Sequence, residues 1–450
     1  MIDNNDRVGK LISRETAVTR AIVIVPIIRE HDNTKNVDRP VQPRVAEAVG
    51  LARAIRLEVV VSKAINVAEP KPATLIGQGK VAELAQEITE NEIELAVIDH
   101  SLSPIQQRNL EKEWNCKVID RTALILEIFG DRARTKEGVL QVELAHLNYQ
   151  KGRLVRSWTH LERQRGGGGF LGGPGETQIE SDRRILQEKI VRIKRELETV
   201  VRTRALHRAK RKKIPYPVVA LVGYTNAGKS TLFNRLTGAD VLAKDMLFAT
   251  LDPTLRKVVL PDGQSAILSD TVGFISDLPT HLIAAFRATL EEVVEADLII
   301  HVRDMSDVQH REHAQNVLEI LASLGVDIDN PNHIIEVWNK VDLLDEKAIS
   351  LLRDNALSSA NKAILVSALT GEGIDTLLSV IGKQISGEMT EREVLLKPHE
   401  LYLLDWFYNN AGKVEQSPQD DGTVLVSTTL NRLANDRLNK ILSDKDKGNI

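Results

Sequence analysis

The chain has 450 residues, enough for about three domains at roughly 150 residues each. Its 42 % apolar and 27 % charged residues exclude a chain disordered throughout, and the single cysteine, Cys116, excludes an internal disulfide framework. The formal charge of −4 excludes a uniformly basic nucleic-acid coat, yet residues 151–213 hold 18 Lys and Arg against 7 Asp and Glu, a balance of +11 that leaves −15 on the remainder.

From Ala21 onward, short apolar runs alternate with helical patterns: Ala21 to Pro26, Leu57 to Val61, Leu95 to Asp99 and Lys117 to Asp120 read as strands. Helices are predicted over residues 45–55, 80–89 and 104–112, so residues 1–133 read as an α/β domain with a parallel sheet. Ile76 to Lys80 (IGQGK) reads as a left-handed turn ahead of a helix, glycine being the residue that adopts positive φ without cost. The run Ala21 to Pro26 is too short for a secretory segment. No other run approaches the about 20 apolar residues of a membrane helix, so a cytoplasmic protein without a membrane span is expected.

Residues 134–213 read as a basic helical hairpin. Leu140, Leu144 and Leu147 share one face of its first helix. Gly166 to Gly175 (GGGGFLGGPG) contains seven glycines and no charge, and forms the predicted loop at the tip. It is either a passive linker or, given Phe170 and Leu171 between glycines, a tip that orders against a partner. Thr177 to Glu180 has capping-box spacing, which starts the second helix near Gln178. Leu186, Ile190, Ile193, Leu197 and Val200 form an apolar seam, with Arg183, Arg184, Arg192, Lys194, Arg195, Arg202 and Arg204 mostly off it. That arrangement suits phosphate contact without base readout.

The chemistry is concentrated in residues 214–388. Val218 to Val222 is a continuous apolar strand running into Gly223, Tyr224, Thr225, Asn226, Ala227, Gly228, Lys229 and Ser230, with Thr231 to Leu236 as a helix. This is a phosphate loop between the strand and helix that such a loop requires. Its amides face phosphates, Lys229 reaches the β- and γ-phosphates, and Ser230 offers a hydroxyl to Mg²⁺. A strand over residues 266–269 leads to Asp270, Thr271, Val272 and Gly273, where the carboxylate backs the Mg²⁺ and the Gly273 amide senses a γ-phosphate. A strand over residues 334–338 leads to Asn339, Lys340, Val341 and Asp342. The Asp342 carboxylate can accept both N1–H and the 2-amino group of guanine, which selects GTP and GDP over adenine nucleotides. Ser367, Ala368 and Leu369 fit the loop that closes over the base.

Between the first two motifs, Thr250 and Thr254 are candidates for the threonine that completes the Mg²⁺ shell, with Thr250 favoured. Phe274 stands where many GTPases carry a water-orienting glutamine, so slow intrinsic hydrolysis is expected. Asn226 suggests that K⁺ is held beside the phosphates. The tail, residues 389–450, reads as a small α+β domain with strands over 394–396, 412–416 and 422–428 and a helix over 400–408. A metabolic phosphotransferase is the alternative of another class.

These four motifs, together with Leu102 to Leu110, Val118 to Thr122, Gln141 to Ala145, Gly166 to Gln178 and Phe248 to Thr254, resemble the HflX-type ribosome-associated GTPases over about residues 76–377. The resemblance implies a monomeric, cytoplasmic GTPase that binds the large ribosomal subunit and its ribosomal RNA and dissociates stalled ribosomes. It would use Lys229, Thr250 and Gly273 in catalysis and Ser230, Thr250 and Asp270 around Mg²⁺. A ribosome-assembly or RNA-modification GTPase is the neighbouring reading.

Overall fold

A computed structural model describes residues 18–28, 41–164, 174–211, 216–238, 248, 254–261, 263–275, 287–328, 330, 332–358, 363–386, 390–411, 413–419, 421–430, 434–435, 437–439 and 441–442. The chain forms two compact units, residues 1–131 with 146–191 and residues 132–145 with 192–450. Among the described residues no helix is long and apolar enough to cross a membrane.

The first unit is built on β1 (Arg20–Ile28), β2 (Glu58–Val67), β3 (Leu95–Ile98) and β4 (Lys117–Asp120), all parallel in the order β2-β1-β3-β4. Ala21 to Val25 are wholly buried, as an apolar run in a central parallel strand should be. Helices α1 (Val41–Ala54), α2 (Gln78–Glu90), α3 (Pro104–Trp114) and α4 (Arg121–Arg132) follow or precede the strands. Leu84, Ile88, Leu110 and Trp114 pack with Ile22, Ile24 and Ile98 in one core.

Two details depart from expectation. The glycines of IGQGK do not supply a left-handed turn: Gly77 caps α2 at φ −67°, Gly79 lies inside the helix, and the positive φ of 66° belongs to Leu75. Tertiary bonds override propensity there, because Leu75 exchanges both backbone hydrogen bonds with Lys71 in an isolated bridge and its side chain is buried. The helix after the glycine-rich segment, α6 (Pro174–Arg211), begins at Pro174 rather than near Gln178, so Thr177 to Glu180 lie within it. Proline fits the first helical position, where its missing N–H is not needed and its φ is already helical. Pro174 and Gly175 therefore belong to α6, and residues 165–173 lie outside the described residues.

The other long helix is α5 (Lys136–Gln164), and Lys151 Nζ donates to Gln187 Oε1 of α6 at 2.6 Å. Ile190 and Ile193 are buried and Leu186, Leu197 and Val200 half-buried, while Arg183, Arg184, Arg192, Lys194, Arg195 and Arg202 are exposed. Arg204 lies among residues whose side chains are not described.

In the second unit, β5 (Val218–Gly223), β6 (Thr254–Val259), β7 (Ser265–Asp270), β8 (Leu298–Asp304), β9 (Ile334–Asn339) and β10 (Ile364–Leu365) make a six-stranded sheet ordered β10-β9-β8-β5-β7-β6. Only β6, at the edge, runs antiparallel. Helices α7 (Lys229–Thr237), α8 (Arg287–Val294), α9 (His310–Ser323), α10 (Glu346–Ser358) and α11 (Ile374–Ser386) accompany it. Val219, Leu221, Leu298, Ile300, Val302 and Val337 meet Leu232, Phe233 and Leu377 in its core.

A separate antiparallel sheet of β11 (Thr390–Leu396), β12 (Val414–Pro418) and β13 (Val424–Leu430), ordered β11-β13-β12, packs Leu396, Val426 and Leu430 against Phe407 of α12 (Leu403–Asn410). This is the small α+β tail that the alternation predicts.

Candidate functional site

The site forms where β5, β7, β9 and β10 end on the same edge of the sheet, each strand delivering one motif. Parallel strands with helical crossovers place all their carboxyl ends together, which is where ligands bind in open α/β sheets.

At the end of β5 the chain turns from strand to helix within residues 223–229. Gly223 leaves no room for a side chain, since a Cβ there would stand 2.2 Å from the Val302 carbonyl oxygen. Gly228, at φ +88°, is restricted twice over, as a Cβ would also meet Asn339 Nδ2 at 2.2 Å. Asn226 at the crest takes φ 61° and is exposed. Lys229 is buried at the start of α7 and its Nζ donates to the Tyr224 carbonyl at 2.8 Å. Burial lowers its ammonium pKa to about 8, against the opposing pull of Asp270. An anion bound there restores the charge, which is what a phosphate does. The Thr225 hydroxyl is also buried with no hydrogen-bond partner among the described residues.

At the end of β7, Asp270 Oδ2 accepts the Ser230 hydroxyl at 2.7 Å. A carboxylate and a hydroxyl, both hard oxygen donors, fit Mg²⁺ at the mouth of the phosphate loop. Gly273 is packed against the loop, for a Cβ there would stand 2.9 Å from Thr225 Cγ2 and 3.0 Å from Lys229 Nζ. The next residue, Phe274, is buried and bonded to the loop backbone: its amide donates to Gly223 O at 3.1 Å and its carbonyl accepts the Thr225 amide at 2.7 Å. Thr250 lies outside the described residues, whereas Thr254 is the first residue of β6 and sits across the ladder from Asp270.

The third and fourth motifs are joined to the first. Asn339 Nδ2 donates to the Ala227 carbonyl at 2.8 Å and Asn339 Oδ1 accepts the Ala368 amide at 3.0 Å, so one buried side chain ties three loops. Lys340, at φ 66°, pairs with Asp304 at 2.7 Å. Asp342 accepts the Ser367 hydroxyl at 2.6 Å, and that hydroxyl also accepts the Thr370 amide at 3.0 Å. Leu369 is 69 % exposed, an apolar side chain presented at the rim beside Asp342.

Two supporting residues carry no motif signature. Arg235, in the last turn of α7, donates to the Ala368 carbonyl at 3.2 Å and to the Leu369 carbonyl. Asp304, at the end of β8, fixes Lys340 and accepts the Ser306 amide at 3.0 Å. The Arg235 bonds and the Asp304–Lys340 pair each span more than thirty residues of sequence, where no local pattern could announce them.

The matching protein families cover the described elements in order: a GTP-binding GTPase N-terminal region over residues 42–130, a GTP-binding GTPase middle region over 132–211, a 50S ribosome-binding GTPase domain over 218–340 and an HflX C-terminal domain over 352–449. The chain is 53 % identical to the GTPase HflX of Magnetococcus marinus, across 84 % of this chain and 86 % of that one. It is 46 % identical to the GTPase HflX of Escherichia coli, across 80 % and 83 %. A crystal structure of a GTP-binding protein from Sulfolobus solfataricus in complex with GDP overlays 82 % of this chain and 99 % of that one, at 24 % identity and a TM-score of 0.45. With a GTPase family model over its strand-loop-helix core and relatives of this identity along most of its length, the chain belongs to the HflX family and is a GTP-binding, GTP-hydrolysing enzyme.

Proposed function

We propose that this GTPase is a nucleotide-switched ribosome factor that acts as a monomer: GTP selects the form whose basic helices hold the ribosomal RNA of the large subunit, and hydrolysis releases it. The observation that carries this reading is the division of α6 into an apolar seam, buried at Ile190 and Ile193, and an exposed row of Arg183, Arg184, Arg192, Lys194, Arg195 and Arg202, of which Arg184 and Arg192 pair with Glu188 and Glu196 one turn on. The 50S ribosome-binding description of the family matched by residues 218–340 agrees with it.

Within the site, the phosphate loop Gly223 to Thr231 holds the β- and γ-phosphates with Lys229, and the Gly273 amide reports the γ-phosphate. Ser230 and Asp270, joined by Thr250, hold Mg²⁺, which neutralises charge on the phosphate oxygens when bound. Thr250 is assigned this role over Thr254 because Thr254 is tied into the β6–β7 ladder and cannot swing with the nucleotide state. Asp342 reads guanine while Asn339, Lys340, Ser367, Ala368 and Leu369 frame the base. The exposed left-handed Asn226 is the residue placed to help hold K⁺ beside the phosphates, and equal turnover in potassium and sodium chloride would remove that role.

The test is ribosome dissociation followed by light scattering with GTP, GDP and a non-hydrolysable analogue, comparing the full chain with a deletion of residues 166–175. GTP-dependent loss of scattering that the deletion abolishes is expected. A GTPase rate unchanged by added large subunits overturns the reading, and co-sedimentation with subunit precursors alone would transfer it to ribosome assembly.

A further inference from the structure

The phosphate loop is anchored from α9 by a column of side chains that no nucleotide motif contains. The Tyr224 ring lies flat on the imidazole of His313, with ring centroids 3.7 Å apart and planes 5° from parallel. His313 is itself oriented: its Nδ1 is 3.3 Å from Asp307 Oδ2, and Asp307 Oδ1 accepts the Gln309 amide at 2.8 Å at the start of α9. The hydrogen bond from His313 and that amide hold the Asp307 carboxyl below its usual pKa range. Tyr224 is buried, so its ring is held by packing as well as by the stack.

What Tyr224 does with its backbone gives the stack its meaning. Its carbonyl is the acceptor for Lys229 Nζ at 2.8 Å. Its two neighbours in the chain are bonded to Phe274, Gly223 through its carbonyl and Thr225 through its amide. One residue thus sets the direction of the loop lysine and borders the start of the segment after Asp270, and its ring is packed on one from α9, a helix that contains none of the four nucleotide motifs. Removing the imidazole opens a gap beside the buried Tyr224 side chain, and a ring that shifts into it strains the φ and ψ that its rotamer requires, which displaces the Tyr224 carbonyl.

We propose that His313, held by Asp307, is a positioning residue for the phosphate loop: it fixes the Tyr224 ring and thereby the carbonyl that aims Lys229 at the phosphates. The proposal rests on guanine-nucleotide binding, which the family establishes, and is independent of any ribosomal partner. The alternative, that the stack only fills the core between α9 and β5, predicts lost stability with nucleotide affinity intact.

The two separate by equilibrium binding of a fluorescent GDP and a fluorescent non-hydrolysable GTP analogue to the full chain, with thermal midpoints recorded in parallel. His313→Ala is expected to weaken binding of both nucleotides about 5- to 10-fold, the scale of one aromatic pair. His313→Phe, which restores a ring against Tyr224, is expected to return affinity to within about twofold of the wild type. Val317→Ala, a cavity in the buried face of the same helix, supplies the stability control and is expected to lower the midpoint while leaving affinity within about twofold. Wild-type affinity in His313→Ala, failure of His313→Phe to rescue, or an equal loss of affinity in Val317→Ala each overturns the proposal.

Discussion

Ser367 donates a hydrogen bond from its hydroxyl to Asp342 Oδ1 across 2.6 Å, joining the turn after β9 to the turn after β10. The bond orients the carboxylate and leaves its second oxygen and remaining lone pairs for a ligand. Asp342→Asn turns an acceptor pair into one acceptor and one donor. GTP affinity should then fall by about 100-fold or more, while xanthosine triphosphate, which offers a 2-carbonyl in place of the amino group, should compete better than GTP. Competition against a fluorescent guanine nucleotide reads this directly, and an unchanged preference for guanine would remove Asp342 from base recognition.

Asn339 has the larger structural burden. Truncation by Asn339→Ala orphans the buried Ala227 carbonyl and the Ala368 amide together. Each unsatisfied group costs about 1–3 kcal/mol. Nucleotide affinity should fall at least about tenfold, with a drop of several degrees in the thermal midpoint of the apoprotein. Calorimetry with and without GDP separates the two losses, and wild-type GDP stabilisation in Asn339→Ala would show that the loops hold one another by other means.

His301 lies on β8, buried and in register with Val222 of β5. Burial lowers its imidazole pKa to about 4, with Glu336 pulling the other way and Arg303 and Lys229 adding to the depression. In the unfolded chain the same group takes a proton near pH 6.5. As pH falls through that value the unfolded state binds a proton that the native state refuses. The stability due to neutral His301 is therefore present above about pH 6.5, is lost progressively toward pH 4, and falls no further below. Unfolding free energies from denaturant titrations at pH 7.5 and pH 5 should differ by about 2 kcal/mol more in the wild type than in His301→Phe, a ring of similar size without the titration. Equal acid sensitivity in the two proteins would contradict a neutral buried imidazole.

Arg121, at the start of α4, is buried between two carboxylates: it donates to Glu47 at 2.6 Å and to Asp99. Asp99 and Glu47 hold the guanidinium firmly protonated, while burial raises the Asp99 carboxyl pKa despite its partner. Arg121→Met removes the cation that bridges two acids in the first unit and should cost about 3–5 kcal/mol by urea unfolding at pH 7.5. The deficit should shrink as pH falls, because burial already raises the Asp99 carboxyl pKa and a protonated Asp99 needs no counter-charge. A neutral substitution would mean that both acids reach water.

Much of this arrangement is legible from residue order because it is local. Continuous apolar runs became buried parallel strands, and four motifs fell at strand ends because each strand and its following turn are specified within about ten residues. What was not legible depends on partners distant in the chain. Arg235 reaches carbonyls 133 and 134 residues away, and His313 meets Tyr224 across 89 positions without any periodic signal. The antiparallel edge strand β6 was hidden because TLRKVV alternates weakly and is half exposed. Pro174 and Leu75 show the two ways local rules mislead. Thr177 to Glu180 satisfied a helix-start pattern that an earlier proline had already supplied, and Leu75 took the positive φ that nearby glycines were better suited to adopt.

Helix α7 spans nine residues from Lys229, bonded to the proposed phosphate loop, to Thr237, and Arg235 in its last turn grips the Ala368 and Leu369 carbonyls of the loop proposed to close over the base. Both jaws of the clamp are mounted on one short rigid rod, so the gap between them is gauged by the rod and not by loop length. A ligand that seats only one end, such as free guanosine or bare pyrophosphate, leaves the other jaw empty and forfeits the advantage of simultaneous engagement, so the intact nucleotide outbids its fragments by more than the sum of their separate affinities.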